Sequence, residues 1–294
     1  MKKIVSELKK GRVLVSDGAW GTFLQQKGLK PGECPEEWNI SRPDDVLDIA
    51  RSYFEAGSDM VETNSFGGSR FKLAKFGFED RVFAFNKAAA EISRKAAGPD
   101  RFVLGSVGPT GKLLLMEEVT EEELYEAFKE QSMALEAGGV NAIMIETMTD
   151  LEEARIAVKA AKENTGCEVF CTMTFEKIIG GGYRTMMGIS PSEMAETLVE
   201  AGADLIGTNC GNGIEDMIGM VKEIRMVNAE IPVLVHANAG MPRYEDGKTT
   251  FPESPDDMAF RVKEIIEAGA NIVGGCCGTT PDHICKVREV VKSL

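Results

Sequence analysis

Histidine and tryptophan are scarce here, two of each in 294 residues, and 33 basic side chains face 47 acidic ones for a formal charge of −14. That deficit of positive charge argues against binding a nucleic-acid backbone or docking on an anionic membrane, since both need clustered Lys and Arg. No segment approaches the roughly 20 apolar residues of a membrane span. The N-terminal stretch Met1 to Lys10 is basic but lacks the apolar run of about 7 to 15 residues that a secretory signal requires. The expectation is a cytoplasmic protein whose partners are small molecules or other proteins. Low-complexity tracts and linker-like shifts in composition are also missing, so residues 1–294 are expected to form one domain. Seven cysteines is an odd number. In a reducing compartment they point to catalysis, metal binding or simple burial rather than to disulfides.

What is present is a repeated unit: a short apolar or β-branched run, a polar or Gly-rich turn, then a longer segment with helical spacing. Eight strands are predicted, over 13–16, 60–63, 102–106, 142–146, 169–174, 205–208, 233–237 and 271–274. Alternation with helices implies parallel βαβ units with right-handed crossovers, and eight of them imply a closed α/β barrel of the (β/α)8, or TIM-barrel, type. Helix starts fall where this requires them. Ser190-Pro191-Ser192-Glu193, Ser254-Pro255-Asp256-Asp257 and Thr120-Glu121-Glu122-Glu123 each set an acid three residues after a capping hydroxyl. The Ala-Gly pairs ending at Gly57, Gly202 and Gly269 suit helix C-termini that turn left-handed. The competing doubly wound fold would call for a dinucleotide fingerprint after the first strand. Asp17-Gly18-Ala19-Trp20-Gly21-Thr22 lacks the GxGxxG spacing.

Chemistry in such barrels sits at the C-terminal strand ends. Those ends carry Asp17, Glu62 to Ser65, Glu146-Thr147, Cys210, His236 to Asn238 and Cys276-Cys277. Cys210 closes the sixth strand and Cys276-Cys277 the eighth, so three thiols flank the seventh. Zinc is the expected ion, because it favours tetrahedral thiolate coordination, and three protein ligands leave the fourth position open as in catalytic sites. The side-chain oxygen of Asn238 is a candidate to close the tetrahedron. Alternatives are a Cys276-Cys277 disulfide, or a phosphate site at Thr279-Thr280-Pro281-Asp282. Cys34, Cys167, Cys171 and Cys285 are expected as small buried hydrophobes. His283 reads as a surface or capping residue, and His236 as a minor candidate ligand facing either the interior or the helix layer.

These segments, together with Gly108-Pro109-Thr110-Gly111, Gly207-Thr208-Asn209-Cys210-Gly211 and Gly274-Gly275-Cys276-Cys277-Gly278, resemble the homocysteine S-methyltransferase family. The likeness is greatest to the homocysteine-binding module of cobalamin-dependent methionine synthases, and it runs from about Gly11 to the C-terminus. It implies a zinc barrel in which Cys210, Cys276 and Cys277 hold the metal and homocysteine is bound through its sulfur as a thiolate, then methylated to methionine. It also implies Glu146, with Asp17, for the substrate ammonium, and backbone N–H groups near Gly18 and Ala19 or Asn64 for its carboxylate. The glycines around the thiol pair would keep room for metal and methyl group. The Gly-rich loop Lys177 to Thr185 would act as a mobile cover.

The corrinoid-ligating DxHxxG pattern is missing, and Pro281-Asp282-His283-Ile284-Cys285 does not fit it. A methylcobalamin donor would therefore arrive on a separate corrinoid protein. S-methylmethionine or betaine are the alternative donors; such cations favour aromatic faces, for which Trp20, Trp38 and Tyr183 are the candidates. Other readings are a different thiol acceptor, a non-catalytic zinc-binding protein, or a thiol redox protein.

Overall fold

The computed structural model describes residues 2–245 and 248–294. Its core is an eight-stranded parallel barrel: β1 (Leu14–Val15), β2 (Met60–Glu62), β3 (Phe102–Val107), β4 (Ala142–Met148), β5 (Glu168–Met173), β6 (Leu205–Gly213), β7 (Val233–Asn238) and β8 (Ile272–Gly275). Hydrogen bonding runs β1-β8-β7-β6-β5-β4-β3-β2, each strand beside its sequence neighbour. Every expected strand is present. β6 continues to Gly213 instead of stopping at Thr208, because a shift of register after Asn209 lets it pair again with Asn238.

Alternation divides the strands between two cores. Leu14, Met60, Phe102, Leu104, Ala142, Met144, Phe170, Leu205, Leu234 and Ile272 fill the lower interior with Ile4 and Leu8. Val15, Val61, Val103, Ile143, Val169, Ile206, Val233 and Val273 face the helix layer. The short helix Ile4–Leu8 closes the bottom. Glu168, at the start of β5, holds it by accepting the backbone N–H groups of Ile4 at 2.6 Å and Val5 at 3.2 Å.

A fourfold device aligns the strands. Asp59, Asn141, Asp204 and Asn271 each precede an even-numbered strand, and each follows by two residues a glycine at φ +94 to +117°. Their side chains accept the N–H of Val15, Val103, Val169 and Val233 on the preceding odd strand, at 2.8 to 2.9 Å. Each acceptor is also held by a cation, from Arg288, Arg94, Lys162 and Arg225 in turn. At the seam between β1 and β2, where a regular ladder is missing, this clamp and the Asp59 N–H to Val15 bond of 2.7 Å close the cylinder.

The expected capping boxes form at Thr120, Ser190 and Ser254. His283 completes another: its Nδ1 accepts the Thr280 N–H at 3.2 Å, and the ring is buried rather than on the surface. Two antiparallel hairpins project from the loops after β5 (Glu176–Lys177 with Tyr183–Arg184) and after β7 (Arg243–Glu245 with Lys248–Thr250). All seven cysteines are free, so Cys276 and Cys277 form no disulfide. Cys34 and Cys171 are buried as expected, but Cys167 is half-buried and Cys285 is exposed, being on the outer face of the last helix. Among the described residues, no helix is long and apolar enough to cross a membrane.

Candidate metal and substrate site

Toward the top of the barrel the inward positions turn polar. Following the period of two upward from the apolar layer leads to Glu62, Ser106, Glu146, Thr172, Asn209 and His236, all buried. The thiols lie at this mouth. Cys210 adopts φ +59° at the irregularity in β6, a left-handed conformation that costs a non-glycine residue roughly 1–2 kcal/mol. A bulge there re-aims its side chain across the strand ends. The loop after β8 is tied down on both sides. Cys276 N–H donates to Ala237 O at 2.7 Å, Ala239 N–H to Cys277 O at 3.0 Å, and Gly275 N–H to Asp17 O at 2.8 Å.

The sulfurs of Cys210, Cys276 and Cys277 consequently lie within 4.8 Å of one another, with Cys210 and Cys277 3.9 Å apart. Tetrahedral coordination at about 2.3 Å needs sulfurs about 3.8 Å apart, so the cluster fits zinc. The buried Oδ1 of Asn238 has no partner in the protein. Without a metal, thiols from Cys276 and Cys277 donate to Cys210 and pull it down to about 3, and the same bonds push Cys277 up to about 12 and Cys276 upward too.

Next to the thiols lies a group of carboxyls. Ser106 Oγ donates to Glu146 Oε1, and Asn209 Nδ2 approaches Glu146 Oε2 at 3.5 Å. Burial, then the nearby Glu62, holds the Glu146 carboxyl well above the usual range. Thiols on β6 and β8 thus share one mouth with an acid on β4.

The sequence model described as homocysteine S-methyltransferase matches residues 14–291, nearly the whole barrel. The chain belongs to the homocysteine S-methyltransferase family. It is 36% identical over 302 residues to the methionine synthase of Mycobacterium tuberculosis and 36% over 299 to that of Mycobacterium leprae. These alignments take in 96% and 95% of this chain but 25% and 24% of the relatives, so the chain spans about a quarter of their length. In fold it is similar to the metallated form of the Escherichia coli homocysteine methyltransferase MmuM, with TM-score 0.79 at 20% identity over 97% of this chain and 98% of that one. A methyltransferase from Methanosarcina mazei is more distant, with TM-score 0.64 at 12% identity over 99% and 97%.

Within this family barrel, several residues read from sequence as substrate contacts carry hydrogen bonds to other parts of the protein. Asp17 Oδ2 accepts Trp20 Nε1–H and the Glu62 N–H, each at 2.8 Å, and Oδ1 accepts the Ser16 hydroxyl at 3.1 Å. Burial raises its pKa. It is engaged in joining β1 to β2. The N–H of Ala19 is committed to Thr279 Oγ1 at 3.1 Å, and the Asn64 amide to Pro35 O and Asn39 Oδ1. The backbone N–H groups of Gly18 and Asn64 have no acceptor among the described residues. Packing requires the glycines: a Cβ on Gly275 would meet Thr279 Oγ1 at 2.3 Å, and one on Gly274 would meet Ser16 Cβ at 2.8 Å.

The three aromatic candidates do not converge. Trp38 is buried under the Arg42 guanidinium at 3.8 Å, Trp20 is held by Asp17, and Tyr183 packs on Gly219. The loop Lys177 to Thr185 is a hairpin, with Lys177 bonded to Asp216 at 3.0 Å. His236 faces inward, and burial pushes its imidazole toward the neutral form. Sequence reasoning gave no role to Glu62 or Asn209. The inward phase from Met60 to Glu62, and from Leu205 to Asn209, is the signal that finds both.

Proposed function

We propose that this chain is a zinc-dependent methyltransferase that converts homocysteine to methionine with a methyl group from a corrinoid carried on a separate protein. The observation that carries the proposal is the trio of sulfurs within 4.8 Å, beside an unpaired buried Asn238 Oδ1 and the Glu146 carboxyl. Cys210, Cys276 and Cys277 would hold the ion, with Asn238 as a fourth ligand in the absence of substrate. Bound there, zinc supplies the charge that keeps a substrate thiol deprotonated near neutral pH, where a free thiol with pKa about 8.5 is mostly protonated.

The chain's own residues do the rest. Glu146 accepts the substrate ammonium, the free N–H groups of Gly18 and Asn64 suit its carboxylate, and the buried walls keep water from the sulfur. The sulfur lone pair forms the new S–CH3 bond as the bond from methyl to carrier breaks. A protein-borne donor is favoured by the mouth itself. Leu115 and Met116 after β3, Ile179 and Met186 after β5, and Met241 and Tyr244 after β7 are exposed apolar residues in loops at the top of the barrel. Flexible thioethers suit an adaptable docking surface. The relatives called methionine synthases are about four times as long as this chain, which leaves room in them for a part that carries the donor.

The test is methionine formation by the zinc-loaded protein from homocysteine with methylcobalamin, S-methylmethionine or betaine. Methylcobalamin should support turnover. Preference for either small cation overturns the donor, and no transfer from any of the three overturns the activity.

A further inference from the structure

We infer that Glu62 is a substrate-binding residue that joins Glu146 in accepting the ammonium of the amino-acid substrate, and that Asp17 acts by positioning it. The inference rests on the acceptor proposed above. Glu62 is only 8% exposed, yet its Oε1 has no hydrogen-bond partner and lies 3.4 Å from His236 Nδ1. His236 is 1% exposed, and its Nε2 is likewise unpartnered. Leaving a buried polar atom unsatisfied costs about 1–3 kcal/mol, so a donor that arrives with the ligand is the economical explanation.

Acids with a purely structural task look different in this protein. Glu168 accepts two backbone N–H groups, and Glu153 accepts both the N–H and the hydroxyl of Thr110. Asp17 resembles them, with three donors on its two oxygens. One of those donors is the Glu62 N–H, so Asp17 fixes the backbone from which Glu62 reaches inward. Asp17, Glu62 and Glu146 are close enough to raise one another's charging cost. Among the described residues no Lys or Arg forms an ion pair with any of the three. Such a mouth is short of one cation. A substrate ammonium supplies both the charge that the mouth is short of and the donor that Glu62 Oε1 lacks.

The experiment measures binding to zinc-loaded protein by calorimetry, using homocysteine and 4-mercaptobutanoate, the same thiol acid without its amino group. Wild type should prefer homocysteine. Glu62→Gln should weaken homocysteine by at least about tenfold, the worth of a charge-assisted hydrogen bond, and leave 4-mercaptobutanoate within about twofold. Zinc content and the far-UV spectrum should be unchanged. Equal loss for both ligands would mark Glu62 as merely structural, and no loss for either would overturn its role. Wild type that binds homocysteine without preferring it to the des-amino acid also overturns the assignment while sparing the proposed acceptor. Failure of wild type to bind homocysteine overturns both.

Discussion

Asn209 Oδ1 accepts the backbone N–H of Thr147 at 2.8 Å, across the intervening strand β5. Thr147 and Cys210 are left-handed, at φ +60 and +59°: Thr147, the donor, follows Glu146, and Cys210 follows the acceptor Asn209. The same amide accepts the Thr172 hydroxyl at 2.8 Å and donates to Thr147 Oγ1 at 2.7 Å. One side chain therefore sets the backbone that presents the carboxyl and the backbone that presents a thiol. Asn209→Ala should lower stability by roughly 1–3 kcal/mol in urea unfolding. It should also reduce kcat/KM for homocysteine by at least about tenfold, since small misplacements of reacting groups are costly. Wild-type values for both would show the link to be incidental.

Removing a sulfur should separate metal binding from folding. Cys210→Ala and Cys276→Ala are expected to lose zinc and methyl transfer together while keeping a native far-UV spectrum, because the barrel core lies below the thiols. Exposed Cys285, changed to Ser, should retain both. Full zinc occupancy in either alanine variant, by elemental analysis, would refute the assigned ligands.

The buried acids give stability a pH signature. Burial raises the Glu146 pKa well above the unfolded value, with Glu62 adding to the shift. A raised pKa means that the fold prefers the proton. That contribution is fully present below the unfolded pKa, about 4.3, and is lost as pH rises through the folded value. Glu146→Gln, permanently neutral, should therefore raise the Tm of the metal-free protein by a few degrees at pH 8 and by less at pH 5. A larger gain at pH 5 would contradict the direction of the shift.

The rim around the mouth offers a test of delivery. Leu115→Glu combined with Ile179→Glu puts charge on two of the exposed apolar loops without touching the thiols or the acids. Turnover with a protein-borne methyl-corrinoid should fall by at least about tenfold, while turnover with free methylcobalamin stays within about twofold. A parallel loss with both donors would locate the defect inside the barrel instead.

The barrel was legible because its strands are buried on both faces and read as apolar runs, each with a glycine or a cap at its boundary. Strand order then turned Cys210 and Cys276-Cys277, far apart in sequence, into neighbours. The substrate half was harder. Position at a strand end marks Asp17 and Ala19 as accessible, but not whether their atoms are already used, and their partners Glu62 and Thr279 lie 45 and 260 residues away. The end of β6 was missed for a related reason: glycine and asparagine after Cys210 read as loop, whereas pairing resumes beyond the bulge.

Arg288, which steadies Asp59 across the β1–β2 seam, lies 229 residues further along the chain than its partner. The other three clamps draw their cations from helices much nearer in sequence. During synthesis the first pair of strands therefore emerges early but is the last to receive its full set of bonds. Until the helix Pro281–Ser293 has left the ribosome, the nascent cylinder has an unlatched edge next to Asp17.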